Sequence, residues 1–223
     1  MAIPAILSQH AEQAAFLWIL RNYGVHQPHY SLANLARLDN RIEAHLDGLR
    51  VAGDVGWDIC LKAIEGGEAG EVYAAAVLAF ESGESERIQN VVKAGTDEIR
   101  ISGGLISALG WLQYEMSEKH IRSLLTAVSP IARRAGIAAA AIHRQNPHRA
   151  LTDALADSDP FLKARALRTV GELALVELHP TVRESFNATH DDCRFWAAWS
   201  ASILFPDKEA IAVLQSITEK NVA

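Results

Sequence analysis

Apolar residues recur along most of the chain at intervals of three and four, the spacing of one face of an α-helix. The clearest case is residues 158–178, where Asp159 and Pro160 precede a run of apolar residues at helical spacing. A carboxylate followed by proline is a typical helix start, because the side chain caps backbone N–H groups and proline has no N–H to satisfy. Strict apolar/polar alternation, which would indicate strands, is absent from the sequence. The pattern predicts an all-α protein.

The helical pattern repeats with a period of about 30 residues. Segments similar to 158–178 cover residues 96–109, 129–142 and 190–204, and a looser copy covers 68–80. Four of these segments have a small residue just before a large or branched apolar one, namely Gly104, Gly136, Ala166 and Ala198. The looser copy places Ala74 thirty residues before Gly104. Small side chains at a repeated position let neighbouring helix axes approach to about 8–10 Å. We therefore expect these positions to be contacts between stacked helices.

Second helical segments lie between these first helices, at residues 117–128, 147–157, 179–189 and 207–220. Breakers such as Asn146-Pro147 separate first from second helices. A period of about 30 residues built as helix–turn–helix is typical of an α-solenoid. The pattern predicts one continuous solenoid.

The N-terminal part follows a different pattern. Residues 7–24 form one amphipathic segment, and residues 31–53 place leucine and isoleucine at intervals of three and four, which predicts a longer helix with one apolar seam. The end of a solenoid needs an atypical capping unit. We therefore predict an N-terminal helical cap at residues 1–67 and the repeats at residues 68–223.

Two resemblances support this division. The repeated segments, of which DPFLKARAL at residues 159–167 is the clearest, resemble HEAT repeats over about residues 68–220. The run ILSQHAEQAAFLWILR, followed by PHYSLANLARLDNRIEAHLDGLRVAGDVGW, is similar to the start of an uncharacterised proteobacterial HEAT-like family. Genes of that family often lie beside type VI secretion spike and effector genes, and its members are often longer than this chain. The resemblance implies a cytoplasmic accessory role and supplies no activity or catalytic residue.

The net charge argues against nucleic acid as the partner. The formal net charge is −6, and neither half of the chain has a positive excess. One local basic cluster stands out, and we interpret it as solvated outer-face charge that pairs with neighbouring aspartates. The alternatives are a site for an acidic protein patch and, after that, one for nucleic acid, as in HEAT-like DNA glycosylases. The cluster consists of Arg133, Arg134, Arg144, Arg149, Lys163, Arg165 and Arg168.

Candidate chemistry is sparse. His26 and His29 have an H-x-x-H spacing that His10 or His45 could complete as a metal site. Pro28 between them favours an extended or turned segment, so we predict packing and capping roles and no metal. His-Glu dipeptides, which HEAT-like paired-iron hydroxylases use, are absent, as are P-loop and nucleophile-elbow motifs. We expect no catalytic residue and no cofactor.

The remaining features fit a protein of the reducing cytoplasm. Cys60 and Cys193 are too few for a disulfide framework, so we expect buried reduced thiols. No apolar run approaches the length of about 20 residues that spans a bilayer, so we expect no membrane association. Trp196 and Trp199 lie three residues apart, either in the core of the last repeats or as an aromatic anchor.

A regular repeat without a catalytic constellation favours a non-enzymatic interaction protein. We expect the second helices to line a concave groove that holds a protein partner, with the chain a monomer or a homodimer that pairs through its C-terminal face. The alternative is a lyase or glycosylase-like enzyme on the same scaffold, with Asp153, Glu184 or His120 as a buried groove residue. The predicted partner-binding residues are His120, Arg122, Arg149, Asp153, Arg183 and Asn187.

Overall fold

The computed structural model describes the backbone of residues 4–222 and the side chains up to residue 219. Helices are the regular elements of this described part and it contains no strand, so the all-α prediction is confirmed. The helices group into two compact units, one ending at Glu118 and the other beginning at Lys119. No helix of the described part is both long enough and apolar enough to cross a membrane. The predicted boundary between a cap and repeats at residues 67 and 68 stays a prediction.

The first unit is built around α4. Its helices are α1 (Pro4–Gly24), α2 (Leu32–Val51), α3 (Asp54–Ala63), α4 (Ala69–Ser82), α5 (Ser85–Asp97), α6 (Ser102–Trp111) and the start of α7 (Tyr114–Leu125). Helix α4 packs against both α1 and α6, and residues 72–80 are all buried. The ring of Tyr73 stacks on Trp18 at a centroid distance of 5.6 Å and meets Trp111 edge-on at 5.9 Å. These rings join α1, α4 and α6 into one core.

A network of charged side chains also joins helices of the first unit. Arg50 of α2 donates two hydrogen bonds to Glu81 of α4, each 2.8 Å long, and others to Glu43 and Asp47. The indole Nε1 of Trp111 donates to Glu43 at 2.8 Å. Glu43 therefore connects Arg50 to the aromatic core.

The second unit contains the clearest repetition. Its helices are α8 (Pro130–Ile142), α9 (Arg149–Leu155), α10 (Pro160–Glu172), α11 (His179–Arg183), α12 (Asp191–Leu204) and α13 (Lys208–Val222). The first helices pack in order, α8 on α10 and α10 on α12, while α9 packs on α10 and α11 on α12. Helices α8 and α10 each have 13 residues and begin at a proline, 30 positions apart in the chain.

The ends of α8 and α10 repeat as well. Ser129 caps α8 by accepting from the N–H of Ala132 at 3.4 Å, and Asp159 caps α10 by accepting from the N–H of Leu162 at 2.8 Å. Two residues after its last residue, each helix is followed by a residue in the left-handed conformation, Arg144 at φ 58° and Ala174 at φ 54°. The predicted period is therefore present in the backbone from α8 to α10, while a full HEAT solenoid remains a prediction.

Three segments differ from the sequence prediction. Residues 96–109 are not one helix, because α5 ends at Asp97 and a turn separates it from α6. Helix α5 itself was not predicted. Residues 179–189 form the short α11 followed by a 3-10 turn at Glu184–Asn187.

The predicted small residues are all buried, but two of them meet different kinds of neighbour. A Cβ on Gly104 would lie 2.0 Å from the carbonyl oxygen of Ala69, so α6 touches the backbone of α4, a first helix. A Cβ on Gly136 would lie 2.8 Å from the backbone nitrogen of Leu125, so α8 touches α7, a second helix. The small residues are close contacts, but not all equivalent ones.

Adjacent glycines in α6 provide a test of this contact. We expect Gly104→Ala to lower the free energy of unfolding by about 1–3 kcal/mol, because the new methyl group would overlap the backbone of α4. Gly103 is the matched control, since a Cβ there would find its nearest neighbour, Trp18, at 3.8 Å. Gly103→Ala should raise stability by about 0.5–1 kcal/mol through helix propensity. Equal effects of the two changes in urea unfolding would contradict the close contact.

A candidate anion-binding site

Three arginines gather on neighbouring helices of the second unit. Arg165 and Arg168 lie on α10, and Arg134 lies on α8, which packs directly against α10. On α10 the two arginines share a face with Glu172, because spacings of three, four and seven residues return to the same side of a helix. We call Arg134, Arg165 and Arg168 the arginine cluster.

Glu172 is held by both arginines of α10. Its Oε1 accepts from Arg168 Nε at 2.7 Å, and its Oε2 accepts from Arg165 Nη2. Arg165 also donates to the hydroxyl of the buried Thr169, at 3.0 Å from Nη2 and 3.2 Å from Nε. The Arg165 side chain is only 11% exposed, so its guanidinium has little contact with water.

Burial and mutual repulsion raise the free energy of the charged forms of Arg165 and Arg134. Burial lowers the pKa of Arg165 to about 10, with the charges of Arg168 and Arg134 acting in the same direction against the attraction of Glu172. Burial and the charge of Arg168 also lower the pKa of Arg134, although Asp159 opposes this. A depressed pKa of a cation means that burial and repulsion from like charges outweigh the attraction of its partners. A bound anion would favour the charged forms.

Two tryptophans of α12 form an aromatic wall beside the cluster. The Arg168 guanidinium carbon lies 4.5 Å from the Trp196 ring centroid, a cation–π geometry. Trp196 and Trp199 meet edge-to-face at 5.4 Å and are both half-buried. The wall is fixed to α10 because the buried Ser200 hydroxyl donates to the Leu167 carbonyl at 2.7 Å.

This combination suits a carboxylate or phosphate group. Guanidinium groups offer paired N–H donors that match the two oxygens of such an anion. Stacking on an indole limits the motion of Arg168, which lowers the entropic cost of binding.

The sequence identified these arginines but assigned them a different role. Pairing with a neighbouring aspartate is confirmed for Arg133, whose Nη2 lies 2.7 Å from Asp157 Oδ2. The prediction of a solvated charge is wrong for Arg165, which pairs with Glu172 and whose side chain is only 11% exposed. Glu172 was not identified, although its place seven residues after Arg165 was a usable signal.

The six predicted partner-binding residues lie on four elements. His120 and Arg122 belong to α7, and burial and Lys119 lower the pKa of His120. On α9, Arg149 and Asp153 form an exposed pair at 3.5 Å. Asn187 is exposed at the end of the 3-10 turn that follows α11. These assignments stay predictions.

Arg183, the sixth, has a structural partner. It donates to Asp207 and Glu209. Asp207 is buried and caps α13 by accepting from the N–H groups of Glu209 at 3.0 Å and Ala210 at 3.1 Å. Burial favours the neutral acid, but the hydrogen bonds from Ala210 and Arg183 outweigh it and lower the pKa of Asp207. Much of the Arg183 charge is thus used to fix α11 to α13.

The enzyme alternative requires a buried acid in the groove. Its two candidate acids, Asp153 and Glu184, are both exposed. The described residues contain no group of three His, Cys, Asp or Glu side chains that could hold a metal ion. His10 and His45 instead contact each other, with their Nδ1 atoms 3.0 Å apart. His26 is in the loop after α1, roughly 20 Å along that helix from His10. Cys60 and Cys193 are free and buried, as expected.

A comparison with models of known protein families finds no family that matches the chain, and a comparison with curated proteins finds no match either.

The histidine pair predicts a pH dependence. Burial, His10 and Arg41 lower the pKa of His45, so the unfolded state binds its proton more readily than the folded state. Stability should therefore fall as the pH drops below about 6.5. The free energy of unfolding measured in urea should fall from about pH 7.5 to about pH 5.5, and His45→Asn should make this fall smaller. His26→Asn, in an exposed loop, is the control and should leave the fall unchanged; an equal reduction would contradict the assignment.

Removing Glu172 tests the electrostatic balance of the cluster. Glu172→Gln should lower the free energy of unfolding by about 3 kcal/mol, because buried guanidinium groups lose their carboxylate. Millimolar phosphate should restore part of the loss by replacing the missing charge. The control is Glu177→Gln, at an exposed position. If phosphate stabilises both variants equally in thermal unfolding, it acts as a general solute and the site is not an anion site.

Proposed function

We propose that this chain is a non-enzymatic interaction module, a HEAT-like helical array that holds an acidic segment of a protein partner. The segment would place a carboxylate at the arginine cluster and an apolar side chain against Trp196 and Trp199. The observation that carries the proposal is the desolvated Arg165 guanidinium, which shares the carboxylate of Glu172 with Arg168 and is repelled by the charges of Arg168 and Arg134.

The ordered packing of the first helices supports the array part of the proposal. Helices α8, α10 and α12 follow one another in space as they do in sequence, with α9 and α11 beside them. This is the arrangement of neighbours expected in helix–turn–helix repeats.

Charge favours an acidic protein segment over nucleic acid. The chain has a formal net charge of −6, so a long polyanion would be repelled by most of the surface. A short acidic segment needs only the local cluster and gains the aromatic contact as well. On the sequence resemblance, we further propose that the chain is a cytoplasmic accessory of a type VI secretion gene cluster, acting as a monomer or homodimer.

Fluorescence anisotropy with a labelled peptide that alternates glutamate and leucine tests the proposal. The peptide should bind, and its glutamine counterpart should bind about tenfold more weakly, which corresponds to about 1.4 kcal/mol. Arg168→Gln should cause a similar loss, because it removes the guanidinium that bridges Glu172 and Trp196.

Arg37→Gln is the matched control, since Arg37 is exposed on α2, in the first unit, and belongs neither to the cluster nor to the predicted partner-binding residues. It should leave the affinity unchanged. Single-stranded oligothymidine of equal charge should bind more weakly than the peptide. Failure of the peptide to bind, tighter binding of the oligonucleotide, or equal losses in the two arginine variants would each overturn the proposal.

A further inference from the structure

A cavity of about 550 Å³ lies in the first unit, between α1, α3 and the beginning of α4. Its size falls in the range of pockets that bind small organic molecules. Alanines at positions 11 and 15 of α1 and position 63 of α3 leave the space open. The large apolar side chains at its wall are Phe16, Ile19 and Ile59, of which Phe16 is 57% exposed.

Exposed aromatic surface of this kind is costly in water. Covering apolar surface contributes about 25 cal/mol for each Å² removed from solvent. An occupant with an apolar body would gain this contribution from Phe16 and Ile19. The cavity wall therefore favours a ligand with an apolar body.

Acidic side chains at the cavity wall determine which charge the ligand should carry. Glu12, Glu68 and Glu71 line the cavity with one cation, Lys62. Glu68 lies 3.8 Å from Arg100, whereas Glu12 and Glu71 have no ion-pair partner among the described side chains. The Oε2 atom of Glu71 is buried without a hydrogen-bond donor in the described part of the chain.

Burial raises the pKa of Glu71, and the charge of Glu68 adds to this, while a hydrogen bond from the Glu68 backbone acts in the opposite direction. A neutral or anionic ligand would displace water from these carboxylates without supplying a positive charge in its place. A cationic ligand would compensate their negative charge directly.

We propose that this cavity binds a small organic cation, an ammonium group carried on an apolar body of aromatic size. The ammonium group lies towards Glu12 and Glu71, and the apolar body covers Phe16 and Ile19. This site belongs to a different unit from the arginine cluster and takes a ligand of opposite charge, so it stands independently of the proposed function.

The experiment uses 4-phenylbutylamine as the probe and 4-phenylbutan-1-ol as its neutral counterpart. Titration followed by ¹H–¹⁵N correlation spectra should shift amide signals of cavity residues with the amine. The alcohol should bind at least about fivefold more weakly, the size of one partly exposed charge interaction.

Glu71→Gln and Glu12→Gln should each weaken amine binding by about fivefold and leave alcohol binding unchanged. Glu12 is exposed, so its replacement keeps the test valid if the change at Glu71 disturbs the start of α4. Glu65→Gln is the matched control, because Glu65 is exposed on the turn after α3 and does not line the cavity. Equal affinity for amine and alcohol, or shifts outside the cavity residues only, would overturn the proposal.

Discussion

Close contact between helix backbones is the constraint on which both units depend. At Gly104 the space for a side chain is occupied by the carbonyl of Ala69, and at Gly136 it is occupied by the backbone of Leu125. Helices this close bury each other's faces at the point of contact. This contributes to the burial of α4, which packs against α1 and α6 and is buried over nine consecutive residues. A helix in that position has almost no face left for solvent.

The sequence predicts those elements whose signals are local. Ser129-Pro130 and Asp159-Pro160 begin helices because the capping atoms lie within three residues of the N–H groups they satisfy. The turn between α5 and α6 was missed because its support is distant. There Arg100 donates to Glu98 and also to the carbonyl of Gly67, a residue from an earlier loop. No local pattern contains that contact.

Only part of the candidate anion site was predictable from the sequence, because the rest of it also depends on contacts between distant residues. Counting residues identified a basic cluster, but helical spacing alone could not decide which side of α10 faces solvent. Helix α10 packs against α8, α9 and α12, so positions that look outward in a two-layer array are covered here. Arg165 lies between the buried residues Ala164 and Ala166, and its own side chain is only 11% exposed. The contact with Trp196 likewise depends on α12, a distant part of the chain.

Stability alone does not explain a buried arginine at position 165. An apolar side chain of similar volume would avoid the desolvation cost, and such replacements of buried ion pairs are often neutral or stabilising. The repulsion from Arg134 and Arg168 adds to that cost. The proposed binding role would account for the arrangement, because desolvation of a guanidinium group strengthens its attraction to a carboxylate. The same argument applies to Glu71 with the opposite sign. Its Oε2 is buried without a hydrogen-bond donor among the described residues, which is unfavourable by itself, and the proposed cation would compensate it.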